Sequence, residues 1–387
     1  MRKLGFVTTS RADYGIIRPI LKAAQADPRL EIAVVAAGAH WAPEFGHTAR
    51  EIEADGFPIA HKVECLVSSD TPEGMAKSAG LGALGFAQLF GSWRPDILVL
   101  LGDRIEMFTA GLAALPFLIP VAHVHGGEIS EGAIDDSLRH ALTKLAHLHF
   151  VATDDYARRV RQLGEESWRV TVSGAPGLDN LAAFAPMSDA ELEAELGLRL
   201  DKAPLLVTYH PVTTEADQAQ AQTKDLLAAL QDTGLPVVLT SPNADSGGRA
   251  IARLMEDYVR QHAHAHLVAS LGTRAYFTLM ARAAAMVGNS SSGIIEAPSF
   301  ALPMVNIGNR QRGRQRAANI IDSAYGRREI AAAIARAVSP DFRRSLKGMT
   351  NPYGDGKAAQ RIVSVLAEVT LDARLTTKRF ADQRSVP

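Results

Sequence analysis

What most constrains this chain is a repeated pairing. A short apolar run of strand length gives way to a polar or glycine-rich break, then to a stretch with helical spacing. In the first half the runs are Leu4–Thr8, Glu31–Ala37, Ile59–Val63, Ile97–Leu101, Ile119–His123, His149–Ala152 and Arg169–Val172. The clearest helical stretch is Tyr14–Gln25, where Ile16, Ile17, Ile20, Leu21 and Ala24 share one side. Pro43–Asp55, the Gly- and Ala-rich stretch Gly74–Phe90, and Asp154–Leu163 are others. An unbroken strand–helix alternation of this kind predicts a doubly wound parallel α/β sheet.

A second alternation follows Pro186–Leu200, which is polar and acidic and reads as a helix-containing linker. Its strands are Leu205–Thr208, Val237–Thr240, His266–Val268, Ala284–Val287 and Met304–Asn306. Its helices are Glu215–Gln231, Gly248–Arg260, Tyr276–Arg282, Ile294–Phe300, Ala331–Val338 and Ala358–Val369. At 387 residues the chain exceeds one ordinary core. Two Rossmann-like domains are therefore expected, at 1–175 and 176–365, with a cleft between them. A polar tail at 366–387 is expected to fray from Thr370 onward.

Charge narrows the partners. Lys and Arg number 41 against 42 Asp and Glu, for a net charge of -1. That balance gives no global attraction to nucleic acid or to an anionic membrane, so neither is an expected partner. An anionic ligand has to be held by a local site. The apolar part of MRKLGFVTTS is too short for a signal peptide or a membrane span, and a cytoplasmic location is expected. Cys65 is the only cysteine, which rules out a disulfide framework and reads as a small buried hydrophobe. Histidines 123, 125, 140, 147 and 149 lack HExxH spacing, and the nearby acids are not set as a facial triad. No metal is expected.

Ligands of open α/β sheets bind beyond the carboxyl ends of the strands, and the breaks there carry the chemistry. SRADYG at 10–15 follows the first strand: Arg11 can hold a phosphate beside a helix N-terminus, and Asp13 reads as the helix cap. GDRIE at 102–106 follows Ile97–Leu101, and Asp103 there is assigned a site role beyond capping. The densest stretch is Val121–His140, VAHVHGGEISEGAIDDSLRH, with three histidines, four carboxylates and Arg139. Asp135 and Asp136 suit the first turn of a helix, with a further turn expected at Gly132. His125 and Glu128, in a glycine-rich loop, are not explained by capping.

In the second half, GNSSSGIIEAP at 288–298 places Ser290, Ser291, Ser292 and Gly293 on a strand-to-helix turn. Backbone N–H groups and hydroxyls at such a turn can cradle a diphosphate; the alternative is an ordinary serine-rich turn. Glu296, one turn into the helix, is placed to accept hydrogen bonds from ribose hydroxyls. GxxxxGK[ST] is absent and no strong GxGxxG is present, so neither a nucleoside-triphosphate loop nor a dinucleotide cofactor is indicated. His210, in YHPVT at 209–213, leads another loop of this half and faces either the same ligand or solvent.

Taken together, these segments resemble the hydrolysing branch of the UDP-N-acetylglucosamine 2-epimerase family. The resemblance rests on SRADYG at 10–15, GDRIE at 102–106, HVHGGE at 123–128, GAIDDSLRH at 132–140, YHPVT at 209–213, GNSSSGIIEAPSF at 288–300 and NIGNRQRGR at 306–314. It spans nearly the whole chain in the family's order. It implies the glycosyltransferase-B architecture, with the site in the interdomain cleft and a C-terminal helix crossing back to the first domain. It also implies an enzyme that releases UDP and free N-acetylmannosamine from UDP-N-acetylglucosamine, feeding sialic-acid synthesis. A related branch acts on UDP-2,4-diacetamido-2,4,6-trideoxyglucose in legionaminic-acid synthesis. GAHW at 38–41, where relatives more often carry a leucine after the histidine, is a departure near the expected sugar region.

By match to the family's motifs, Asp103, Glu128 and Asp135 are the acid–base candidates, and which of them removes the carbon-2 proton is left open. His210 and Arg11 offset charge on the departing diphosphate, Ser291 and Ser292 bind phosphate, and Glu296 the ribose. Glu106, His125, Arg139, Ser290 and Gly293 complete the expected substrate contacts. The sequence requires no metal or redox cofactor, because the nucleotide is already a good leaving group. A homodimer or homotetramer is expected, with Gly74–Phe90 suited to a dimer face. The rival readings are a UDP-sugar glycosyltransferase of the same fold, a non-hydrolysing epimerase and a non-catalytic UDP-sugar sensor. The acids between 103 and 136 argue against the sensor, since a binder of an anion gains nothing from negative charge there.

Overall fold

The computed structural model describes residues 1–382 apart from 44–45, 70, 132–133, 183, 243–246 and 270, and apart from the side chains of 213, 214 and 216. The turn expected at Gly132 and the loop residues Asn243, Ala244 and Asp245 lie outside the described residues. The chain divides into two compact units. The first comprises Met1–Glu128, Asp135–Ala182 and the segment from Tyr353 onward; the second comprises Ile129–Ile134 and Ala183–Pro352.

The first unit runs β1 (Arg2–Thr8), α1 (Arg11–Gln25), β2 (Leu30–Ala37), α2 (Ala49–Ala54), β3 (Ile59–Val63), α3 (Pro72–Ser92) and β4 (Ile97–Leu101). It continues with α4 (Ile105–Ala114), β5 (Val121–Val124), α5 (Asp135–Leu145), β6 (Leu148–Val151), α6 (Asp154–Gln162), β7 (Val170–Val172) and α7 (Asp179–Ala182). The strand order is β3-β2-β1-β4-β5-β6-β7, with neighbouring strands parallel. β4, Ile-Leu-Val-Leu-Leu, is buried throughout, as a central parallel strand covered on both faces must be. α1 buries Ile17, Ile20 and Leu21 completely. Each such side chain contributes about 1.5–3 kcal/mol relative to exposure. Its cap is Ser10, whose hydroxyl accepts from Asp13 N at 3.3 Å, so Asp13 is not the cap but a member of the first turn. The small residues of α3 serve close packing: a side chain at Gly82 would meet Thr109 of α4 at 2.5 Å.

The second unit runs α8 (Asp189–Leu196), β8 (Leu205–Thr208), α9 (Ala219–Thr233), β9 (Val237–Thr240), α10 (Gly248–Gln261), β10 (Ala265–Val268) and α11 (Gly272–Arg282). Then come β11 (Ala285–Gly288), α12 (Ser292–Ile295), β12 (Met304–Ile307), β13 (Ile320–Ser323), α13 (Arg327–Val338) and α14 (Pro340–Ser345). Its strand order, β10-β9-β8-β11-β12-β13, is again parallel and repeats the pattern of the first unit. The linker expectation holds in part: α8 carries a capping box, Ser188 with Glu191.

The C-terminal part departs from the expected spans. α15 (Ala358–Glu368) and α16 (Ala373–Thr376) belong to the first unit, and Ile362, Leu366 and Leu375 are buried there. The expected fraying from Thr370 is corrected accordingly. Arg169, itself buried, donates to the carbonyls of Leu375 at 2.8 Å and Arg374 at 2.7 Å. Lys378 Nζ reaches the carbonyls of Lys144 and Ala146 and lies 2.7 Å from the buried Glu165 carboxylate. Burial alone would raise the Glu165 carboxyl, but hydrogen bonds from His149, Lys144 and Lys378 bring it down to about 2. Among the described residues no helix is long and apolar enough to cross a membrane.

Candidate active site

In the first unit the strand order reverses between β1 and β4, the place where such a sheet opens a crevice. The segments leaving those two strands are tied together there. Asp13 accepts from Thr9 Oγ1 at 2.5 Å and from Arg104 Nε at 3.3 Å, so the arginine after β4 is held by the helix after β1. His40, fully buried beyond β2, lies between Thr8 Oγ1 at 2.9 Å and Thr48 Oγ1 at 2.8 Å. Burial lowers its pKa to about 4, so it is a neutral, structural ring. Glu106 is buried against Gly38; burial raises its pKa, and the Arg104 charge opposes that.

The acids gather next to this point. Glu128 is 2% exposed, and its Oε1 accepts from His125 Nδ1 at 2.5 Å. His125 reaches it from a left-handed backbone, φ 67°. Arg139, only 1% exposed, donates to the Asp103 carboxylate and to the Glu128 carbonyl, the latter at 3.2 Å, and lies 3.6 Å from Asp136. One guanidinium thus fixes the segments that carry Asp103 and Glu128. Beneath it His123 is fully buried, with Nε2 donating to the Gly102 carbonyl at 2.7 Å and Thr143 Oγ1 at 3.2 Å from Nδ1. Burial lowers its pKa to about 3. Asp135 stands in the first turn of α5. Carboxylates held at the end of a parallel sheet, one of them against a histidine, are arranged for proton transfer.

In the second unit the reversal falls between β8 and β11. Gly288 ends β11 at φ 135°, and a Cβ there would sit 2.0 Å from the Thr208 carbonyl. Only glycine allows the two strand ends to approach so closely. Asn289 N then donates to Thr208 O at 3.1 Å. Ser290 Oγ accepts from Ser292 N at 3.3 Å. Residues 290–293 lead into and start α12 with small side chains only. From the loop after β12, Arg310 Nη1 and Gln311 Nε2 donate to the Asn289 carbonyl at 3.2 and 2.8 Å. The same loop pairs Arg312 with Glu131 at 3.1 Å. The result is a serine turn with one guanidinium, that of Arg310, at the residue before it, a setting that can take a phosphate.

A profile of the UDP-N-acetylglucosamine 2-epimerase family matches residues 22–367. The chain belongs to this family. It is 36% identical over 379 residues to the UDP-N,N'-diacetylbacillosamine 2-epimerase (hydrolyzing) of Legionella pneumophila, covering 98% of this chain and 99% of that protein. It is 39% identical over 384 residues to the GDP/UDP-N,N'-diacetylbacillosamine 2-epimerase (hydrolyzing) of Campylobacter jejuni, with coverage of 98% and 99%. The Neisseria meningitidis UDP-GlcNAc 2-epimerase, solved bound to UDP-GlcNAc, shares its fold at a TM-score of 0.82 and 17% identity, covering 95% of this chain and 100% of that one. The fold class is thus the two-Rossmann arrangement of glycosyltransferase-B type.

Set against the expected site, this family member brings Asp103, His125, Glu128 and Arg139 into one cluster and Ser290, Ser291, Ser292 and Gly293 onto one turn. Two expected substrate contacts have protein partners. Arg139 is buried, with the Asp103 carboxylate and the Glu128 carbonyl as acceptors. Arg11 sits within α1, not in a loop, and pairs with Glu51 of α2 at 3.1 Å. Glu296 follows the single turn of α12, at the junction with a 3-10 turn over Ala297–Phe300. Asn289, Arg310 and Gln311 were not singled out. The basic run 310–314 was visible, but nothing in it marked which of its side chains meets the Asn289 carbonyl. Among the described residues no group of three or more His, Cys, Asp or Glu is set to hold a metal.

Proposed function

We propose that this protein is a hydrolysing 2-epimerase acting on a UDP-2-acetamido sugar, with UDP-2,4-diacetamido-2,4,6-trideoxyglucose as the substrate to test first. The observation that carries the reading is the buried pair Glu128–His125, held beside Asp103 by Arg139. A protein that only bound an anion would gain nothing from acids at that point. The choice of sugar is supported by two relatives above 35% identity, both named for diacetylbacillosamine. UDP-N-acetylglucosamine is the second reading, favoured by the family description.

In this reading the C1–O bond breaks with departure of UDP, and a carboxylate of the set Asp103, Glu128 and Asp135 takes the carbon-2 proton. A 2-acetamidoglycal is left. Water then adds hydroxyl to carbon 1, its proton passes to a side-chain base, and a proton is delivered to carbon 2 on the opposite face. Ser290, Ser291, Ser292 and Gly293 hold the diphosphate, Glu296 the ribose, and His210 and Arg11 offset the charge that develops on the leaving group. For Arg11 this requires release from Glu51. Leu81, Leu84 and Leu112, exposed on α3 and α4, support self-association as a dimer or tetramer.

Proton NMR in deuterated water tests the reading. With the diacetamido substrate the expected products are UDP and a free sugar carrying deuterium at carbon 2 with inverted configuration. The same products from UDP-N-acetylglucosamine alone would establish the second reading. An intact sugar with bound UDP would sink both and leave a sensor; transfer to an added acceptor would indicate a glycosyltransferase.

A further inference from the structure

His210 lies two residues beyond the end of β8, past the reach of the sheet's own hydrogen bonds. Its backbone is nonetheless held on both polar groups by one side chain. His210 N donates to Asn289 Oδ1 at 2.7 Å, and Asn289 Nδ2 donates to His210 O at 2.8 Å. The Asn289 side chain acts as an extra strand partner for a single residue. Asn289 is fully buried, and its main chain is fixed in turn: its N–H to Thr208 O, its carbonyl under Arg310 and Gln311. Three loops, those after β8, β11 and β12, therefore meet on this residue.

Residue type matters here. The contact needs a donor and an acceptor side by side, at the reach of one methylene beyond Cα. Aspartate has no donor and would set a carboxylate against the His210 carbonyl. Serine and alanine cannot span both groups. Pro211 adds a second restraint, because a residue before proline is confined to extended backbone. With the backbone so fixed, the point from which the imidazole departs is fixed as well.

We propose that Asn289 is a positioning residue that sets His210 for the diphosphate, a role that rests on the reading of His210 given above. It acts through His210 and touches no substrate atom itself. Its carbonyl gathers Arg310 to the same point, so the amide couples the direction of the histidine to the loop carrying the cation.

The test is a double-mutant cycle with His210→Ala, Asn289→Asp and the pair combined. It is read as kcat/KM for UDP release and as the dissociation constant of UDP by calorimetry, with melting temperature as the folding control. His210→Ala is expected to lower kcat/KM about 100-fold, the scale of one lost charge-stabilising donor. Asn289→Asp is expected to lower it at least ~10-fold, the scale of a misplaced group. The combined variant is expected to fall within about threefold of His210→Ala alone, because a positioning residue has nothing left to position. Losses that multiply, or an Asn289→Asp variant within twofold of the parent protein, would overturn the proposal. If Asn289→Asp does not fold, Asn289→Ser runs the same cycle. If the parent protein leaves the sugar intact, the functional reading fails on that observation alone. The cycle on UDP affinity still decides Asn289: non-additive losses support the proposal and additive ones refute it.

Discussion

At the scale of the residue, Glu128 and Asp103 carry the heaviest expectation. Glu128→Gln and Asp103→Asn should each lower turnover by ~10²–10⁴-fold, the range for a lost general acid or base. UDP affinity, measured by calorimetry, should stay within about twofold; a collapse in affinity would count against the division of labour between the units. A second expectation concerns acid. His40, His123 and His147 have pKa values lowered by burial to about 4, 3 and 4. Each is neutral when folded and titrates near 6.5 when unfolded, so the unfolded chain binds more protons below that value. Stability is full above pH 6.5 and falls as pH drops toward the folded pKa, by roughly 2 kcal/mol per histidine at pH 5. Melting curves at pH 7.5 and 5 should show the drop, and a flat profile would contradict it. These acids were legible in the sequence because capping left Glu128 and His125 unexplained. Arg139 was also marked, but its burial on Asp103 and the Glu128 carbonyl was not, because residue type does not report burial. Nor was Asn289, whose amide partner lies 79 positions away.

At the scale of the element, the strand–helix alternation located the strands well, since buried parallel strands read as continuous apolar runs. β13 escaped because only Ile320 and Ile321 are apolar before Asp322. α12 was expected to run further, but a single turn precedes Glu296 and Pro298 sits in the turn after it. Two element ends invite tests. Gly288→Ala forces a Cβ against the Thr208 carbonyl and should abolish UDP binding and lower the melting temperature by several degrees, as read by calorimetry. Asp179 caps α15, accepting from Ala358 N at 2.9 Å and Ala359 N at 2.6 Å. Asp179→Ala should cost ~1–2 kcal/mol in denaturant unfolding while kcat holds. A loss of turnover without a loss of stability would mean that α15 does more than pack.

At the scale of the whole molecule, two parallel sheets could be read from the sequence, but the membership of the last helices could not. Local pattern says that Ala358–Glu368 is amphipathic; only tertiary structure says which core takes its apolar face. α15 packs on α1, and Arg2 donates to the carbonyls of Leu366 and Val369, so the first strand is bound to the last helices. Removing the chain from Tyr353 onward should bare the apolar side of α1 and yield a protein that binds a hydrophobic dye or aggregates. A soluble truncation with an unchanged melting profile would contradict that. The same arrangement bears on how the protein is made. A ribosome releases the second unit before the first unit has all its parts, so the first sheet waits, incompletely covered, until the segment from Tyr353 onward emerges. The unit begun before the second is completed after it.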